Sequence, residues 1–254
     1  MHLKKTVLLL TLAIITLSNA DYEVFNVFGS LGVGFGMGGE RYTSVTTDGT
    51  STTEKDRFFN YGSGLKYRLG CQYFMSDNLI LQPSFTYSNA LAFKEELVYS
   101  NSSRKTTYQR QLFGIKVSVL PRFEFLDLID VYTGVGLGFF WTGCSFEIVN
   151  ESNNGTQKAN GNINASPSLG FTGLLGADFP LSDKLTIFGE LGFEQMNFDL
   201  KEKVIKESNI TASPAVVAGK TYYSKDDSKP ENLAPVKVPG SNFQVHIGVR
   251  WAVL

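Results

Sequence analysis

The last stretch of the chain reads Phe243-Gln244-Val245-His246-Ile247-Gly248-Val249-Arg250-Trp251-Ala252-Val253. Odd positions are all apolar or aromatic; even positions are polar, charged or small. Period two is the mark of a β-strand with unlike faces. The stretch is long enough to cross a bilayer at the tilt of a barrel strand, which takes ~9–11 residues.

Seven earlier segments repeat the pattern. In 25–37, Phe25, Val27, Leu31, Val33, Phe35 and Met37 oppose Asn26, Ser30, Gly32, Gly34 and Gly36. In 59–73, Phe59, Tyr61, Leu65, Tyr67, Leu69, Cys71 and Tyr73 oppose Asn60, Gly62, Gly64, Lys66, Arg68 and Gln72. Segments at 79–88, 113–123, 134–141, 168–179 and 185–194 follow suit. Helical spacing is nowhere sustained. A soluble sandwich would turn a heavily charged face to water. Here the polar face is mostly Gly, Ser and Thr with isolated charges, which suits the inside of a narrow barrel, and the aromatic face suits lipid.

The connections alternate in length. Ser76-Asp77-Asn78, 126–130 and Ser182-Asp183-Lys184 are tight, whereas 40–57, 94–107, 147–165 and 201–241 are long and polar. That is the expected asymmetry between the two ends of an outer-membrane barrel. Asp48-Gly49 and Asn154-Gly155 are hairpin signals within long loops, so strands should continue above the membrane. The last loop, with Pro214, Pro230, Pro235 and Pro239, is expected to be the most mobile. Tyr42, Tyr61, Tyr87 and Trp141 fall near the outer strand ends, and Tyr73, Phe123, Tyr132, Phe179 and Trp251 near the others, as two aromatic girdles would require.

Composition agrees with the pattern. The 254 residues carry 23 Lys plus Arg against 24 Asp plus Glu, which excludes a basic field for nucleic acid. Charged residues make up 19%, below an ordinary soluble domain, and Phe reaches 20. Residues 1–20 read as a signal peptide: Lys4 and Lys5, an apolar run from Val7 to Leu17, then Ser18 and Ala20 at a cleavage site. Residues 21–254 form the barrel domain. No later stretch could cross a membrane as a helix, so a spanning chain must be a closed barrel.

With signal peptide, eight strands, three short turns and four long loops in place, the chain resembles the small eight-stranded outer-membrane barrels of the OmpA and OmpX type. Val131-Tyr132-Thr133-Gly134-Val135-Gly136-Leu137-Gly138 and Val119-Leu120-Pro121-Arg122-Phe123 carry the likeness. His246, Gly248, Trp251 and Val253 are similar to the family's C-terminal assembly signal, though the chain ends on Leu254 rather than Phe. The resemblance implies an all-β, eight-stranded antiparallel up-and-down transmembrane barrel in the outer membrane. It also implies contact with outer-membrane lipid and the barrel assembly machinery; a monomer is expected, and no peptidoglycan-binding domain, since the sequence stops at the last strand.

The candidate site is the lumen. Lys66, Arg68, Lys116, Arg122 and Arg250 face Asp178, Glu190 and Glu194 on the inward phase, and charges buried there must pair. Glu190 and Glu194 lie one strand from Arg250 and are expected to reach it. A plug of structural ion pairs is the leading reading, and a charged selectivity site in a narrow pore or small-ligand transport path the alternative. The long loops would then hold any extracellular ligand. Neither enzyme, cofactor nor metal is expected, since only His2 and His246 are histidines. A hydrolase built on His246 with Ser84, Ser118 or Ser168 is the third possibility, with no local motif behind it.

Three motifs take plainer readings. Gly34-Phe35-Gly36-Met37-Gly38-Gly39 spells a dinucleotide fingerprint but precedes no helix, so close packing explains it. Cys71 on the lipid face and Cys144 on the lumen face should be free thiols. Asn101-Ser102-Ser103, Asn154-Gly155-Thr156 and Asn209-Ile210-Thr211 are read as polar loop sequence.

Overall fold

Eight of the fifteen strands among the described residues close a ring. In a computed structural model these are β1 (Phe25–Gly36), β4 (Gly64–Ser76), β5 (Leu79–Asn89), β7 (Ser102–Leu126), β8 (Ile129–Ser152), β10 (Ser168–Pro180), β11 (Leu185–Gln195) and β15 (Asn242–Val253). The structure describes residues 25–48, 51–90, 92–99, 102–126, 129–211, 218–222 and 235–253; side chains at 40–59, 99, 125 and 126 lie outside the description. The proposed signal peptide, the sequon at Asn101 and the girdle side chain of Tyr42 therefore fall outside it.

Each ring strand pairs antiparallel with the next, and β15 pairs with both β11 and β1. Phe25 meets Val253 and Gly36 meets Asn242, which closes the circle with no free edge. The eight strands are those expected from the alternation, in up-and-down order. One boundary moves: β4 begins at Gly64, not Phe59, because Phe58 and Phe59 pair back onto Arg41 and Glu40. Gly64 has φ +121°, and a Cβ there would meet the backbone of Ala90. Glycine is what lets the chain turn from hairpin into barrel.

The outward face is apolar and the inward face polar. Leu169 is 79% exposed, Leu137 69% and Ile247 66%, whereas Lys66 is 1% and Glu194 0% exposed. Such inversion of the usual burial order is stable where the outer surroundings are hydrocarbon.

The remaining strands stand beyond one end of the ring: β2 (Glu40–Asp48), β3 (Ser51–Phe59), β6 (Phe93–Tyr99), β9 (Gly155–Ala165), β12 (Asn197–Ser208), β13 (Gly219–Tyr222) and β14 (Lys237–Pro239). Here β7 and β8 outrun the barrel and carry a sheet in the order β6-β7-β8-β9-β12-β13. The β2–β3 hairpin turns at Asp48 and Ser51 and touches β6 through Thr46 and Val98. The β8–β9 hairpin turns between Ser152 and Gly155. Long loops thus become strands, as the hairpin signals required.

Along β8 the polarity of the faces switches. Below Trp141 the outward residues are Val135, Leu137 and Phe139; above it they are Ser145, Glu147 and Glu151, while Cys144, Phe146 and Ile148 turn inward and are buried. On β7 the outward face turns polar between Phe113 and Gln111, at the same height, since Phe113 pairs with Trp141 and Gln111 with Gly143. Aromatic rings mark the level: Tyr67 stacks on Tyr87, Tyr87 lies 5.0 Å from Phe113, and Phe113 stacks on Trp141.

Two expected girdle residues are corrected. Tyr132 and Tyr61 are 0% and 2% exposed and point inward, Tyr132 because it shares phase with Gly134 and Gly136, Tyr61 because it precedes β4 in a turn over the mouth. Phe123, Phe179 and Trp251 do lie on the outside at the short-turn end.

Candidate functional site: the barrel lumen

Inward residues of all eight ring strands fill the lumen in three layers. Nearest the short turns, Ile80, Leu120 and Tyr132 pack with Phe74 and Leu174. Arg122 pairs there with Asp130 and lies over the Phe74 ring at 5.7 Å. Its partner is thus not one of the three carboxylates singled out from the sequence. Asp130 sits beside the tight 126–130 turn, where the alternation that marks inward charges has only just begun.

The middle layer holds the other charges in two knots. In the first, Arg250 pairs with Asp178 and donates to Glu190 at 3.2 Å, and Arg68 takes the second oxygen of Glu190. The Tyr132 hydroxyl donates to Glu190 at 2.8 Å and accepts from Arg250 at 2.5 Å. Arg250 lies 4.1 Å from the Phe188 ring centre, and Arg68 lies 5.2 Å from that of Phe28. Guanidinium groups are weakly hydrated and planar, which suits them to such stacked, dry positions.

In the second knot, Glu194 receives Lys66 at 2.6 Å, Lys116 at 2.7 Å and the Asn242 amide at 3.0 Å. Glu194 does not reach Arg250, contrary to the expectation from strand adjacency. β15 runs antiparallel to β11, so Arg250 faces Thr186, whereas Glu194 faces Asn242 at the other end of the strand. Two lysines from across the lumen take its oxygens instead.

Gln72 and Gln82 bond to each other at 2.8 Å. His246 sits 3.2 Å from the Ser30 hydroxyl through Nδ1 and 3.3 Å from Gln244 through Nε2. The serine beside it is Ser30, not Ser84, Ser118 or Ser168. Both ring nitrogens are engaged, and His246 and Ser30 are 3% and 7% exposed, so the pair is buried within the lumen. Gly248, Trp251 and Val253, expected from the sequence to belong to an assembly signal, lie on the same strand as His246, the latter two facing out. Among the described residues no group of three or more His, Cys, Asp or Glu side chains is placed to hold a metal.

Glycines make the lumen possible. A Cβ at Gly176 would fall inside the Tyr132 ring, and one at Gly138 would strike Phe140. The inward small residues thus leave the volume that Tyr132, Phe140, Phe188 and Phe28 fill. The same accounting covers two glycines of the Gly34–Gly39 fingerprint, Gly34 against the Lys66 side chain and Gly36 against Asn60, whereas Gly38 has open space around it and turns the chain at φ +74°. Cys71 and Cys144 are free thiols.

The third layer closes the mouth. Tyr61, Leu112, Phe140, Cys144, Met196, Phe198, Leu200 and Val238 form one buried apolar cluster. Part of the long 201–241 connection is thereby packed rather than loose: β14 pairs with β12 and sends Val238 into the cap. Asn60 ties the loop bases together, donating to the carbonyls of Met37, Gly38 and Ser241 at 3.3, 2.9 and 3.0 Å. Tyr61 N–H donates to Pro239 and Met37 N–H to Ser241. Above the cap, Lys203 lies 4.9 Å from the Phe146 ring. Burial pushes the Glu95 carboxyl up, with Arg104 and Lys203 opposing, and burial with Arg104 nearby pulls the Lys203 ammonium down.

No protein-family model and no curated protein sequence matches the chain. Solved structures of similar architecture do exist. Neisserial surface protein A is 12% identical, with 90% of this chain and 97% of that one covered at a TM-score of 0.41. Ail, the attachment invasion locus protein of Yersinia pestis, is 12% identical over 91% and 100% of the two chains at 0.35. The outer membrane protease OmpT from Escherichia coli is 10% identical over 91% and 97% at 0.33. At these values it is the closed ring of strand pairings that establishes the barrel.

Proposed function

We propose that this is an integral outer-membrane barrel, exported by its signal peptide, whose lumen is a structural plug and whose extramembrane sheet is the working surface. The observation behind this reading is the polarity switch on β7 and β8 at one common height. Below the level of Trp141 and Phe113 the outward side chains of both strands are apolar; above it they are polar or charged. A strand that changes solvent changes its outward face, and the row of aromatics on β4, β5, β7 and β8 sits where a membrane–water interface belongs.

The ion pairs and the apolar cap leave the lumen filled, so the chain serves as a structural or surface-interaction protein that presents the sheet above the membrane. Recognition by the barrel assembly machinery would fall to His246, Gly248, Trp251 and Val253. The barrel functions as a monomer, its ring complete within one chain. The test is mobility in denaturing gels with and without boiling after folding into bilayers, together with circular dichroism and single-channel recording. A heat-modifiable band, a β spectrum and no conductance are expected. A stable ion-selective conductance would overturn the plug and leave a narrow pore, and protein soluble without detergent would overturn the membrane reading.

A further inference from the structure

The outer wall of the barrel is not uniform. Near the short-turn end a groove of about 420 Å³ runs across β11, β15, β1 and β4, within the ~300–1,000 Å³ of small-ligand sites. Val27, Leu69, Leu185, Val249 and Trp251 form its sides, and Gly29 its floor. Gly29 sits between Val249 and Leu69 in register, so one missing side chain in a row of bulky ones makes the notch. The groove is almost wholly apolar and faces outward with the lipid-facing set.

Its end is chemically different. Leu185 is preceded in the turn by Lys184, whose carbonyl accepts from the N–H of Ala252, one residue beyond Trp251. Lys184 is exposed and makes no ion pair among the described residues. An apolar channel that begins beside an interfacial tryptophan and a cation matches the layout of a phospholipid, with its phosphate at the rim and its acyl chain along the wall.

Resting on the membrane reading above, we propose that this groove is a phospholipid site on the periplasmic side. One acyl chain lies over Gly29 between Leu69 and Val249, and the phosphate meets Lys184. A resident lipid would fill a gap that transient annular lipid leaves poorly packed.

Trp251 lines the groove, so it can report on the occupant. The chain carrying Trp141→Phe, which leaves Trp251 as its one tryptophan, is folded into phosphatidylcholine bilayers holding a small fraction of phosphatidylglycerol brominated on its acyl chains. Quenching of Trp251 is expected to exceed that set by the bulk lipid fraction, at an affinity ratio of about threefold or more. Gly29→Leu should return it to the bulk value by filling the floor. Lys184→Gln, which touches no packing, should lower the preference for the anionic lipid while leaving the fold intact. Quenching at the bulk value in the parent, or unchanged by both substitutions, overturns the site. Heat-modifiable mobility is read on every sample: its loss in the parent overturns the membrane reading, whereas its presence with bulk quenching overturns only the groove.

Discussion

The lumen and the mouth of this barrel are closed by opposite chemistries. Inside the ring, Glu194, Glu190 and Asp178 bind Lys66, Lys116, Arg68 and Arg250, and the apolar residues face out. At the mouth, Phe140, Phe198, Leu112 and Val238 close the path, and β8 above them presents Ser145, Glu147 and Glu151 outward. β7 and β8 pass through both regions without a break. The difference teaches that the strand is indifferent to which face is apolar; the surroundings decide. Where hydrocarbon lies outside, the interior can hold charges only if they satisfy one another. Where water lies outside, the inward face of β8 turns to ordinary apolar packing through Cys144, Phe146 and Ile148.

Breaking the charged closure should have the largest effect. Glu194→Gln leaves Lys66 and Lys116 sharing a neutral amide in a fully buried setting, at a cost of about 3–5 kcal/mol. Urea unfolding in bilayers would register it, and a loss under 1 kcal/mol would mean water reaches the lysines.

The comparison itself can be tested by placing one residue on both sides of the aromatic level. Leu137→Arg, outward and below it, should cost about 2–4 kcal/mol in bilayers. Glu147→Arg, outward and above it, should stay within about 0.5 kcal/mol. Equal costs at the two positions would remove the boundary. A subtler change, Tyr132→Phe, takes away the hydroxyl between Glu190 and Arg250 and should cost about 1–3 kcal/mol with the ring kept.

The smallest expected effect is one of pH on the upper region alone. Burial holds the Glu95 carboxyl above its ordinary range in the folded sheet, so the folded state keeps a proton that the unfolded chain has released. Stability of the sheet is therefore greater in mild acid and falls as pH rises through the raised value. Hydrogen exchange of β6 and β7 should show that trend, and Glu95→Gln should flatten it. Exchange that slows with rising pH, after correction for intrinsic rates, would contradict the sign.

How much of this was legible in the sequence follows the same division. The ring was, because period two in an apolar–small pattern leaves few alternatives, and so was the inward placement of the charges. Their partners were not. Lys66 and Lys116 reach Glu194 across the lumen from strands that are not its neighbours, and only closure of the ring brings them together. Adjacency in the sheet pointed to Arg250 instead. The inward rings of Phe28, Tyr132, Phe140 and Phe188 could have been found from phase, since each shares parity with the glycines or charges of its own strand. The cap could not, because its residues Met196, Phe198 and Val238 lie in and beside a polar, proline-bearing connection whose strands form only against the barrel mouth.

The β8–β9 hairpin has a practical consequence. From Thr142 to Ser152 roughly 35 Å of strand stands above the aromatic level, tied on both sides by β7 and β9. Its tip is a two-residue turn at Asn153 and Asn154, followed by Gly155 with φ +112°. That makes the tip a mast head: a foreign peptide spliced between Asn153 and Asn154 would be held clear of the bilayer on a stiff stalk. The ion pairs that hold the ring would not sense it, so on the membrane reading proposed above the scaffold is suited to displaying sequences at a cell surface.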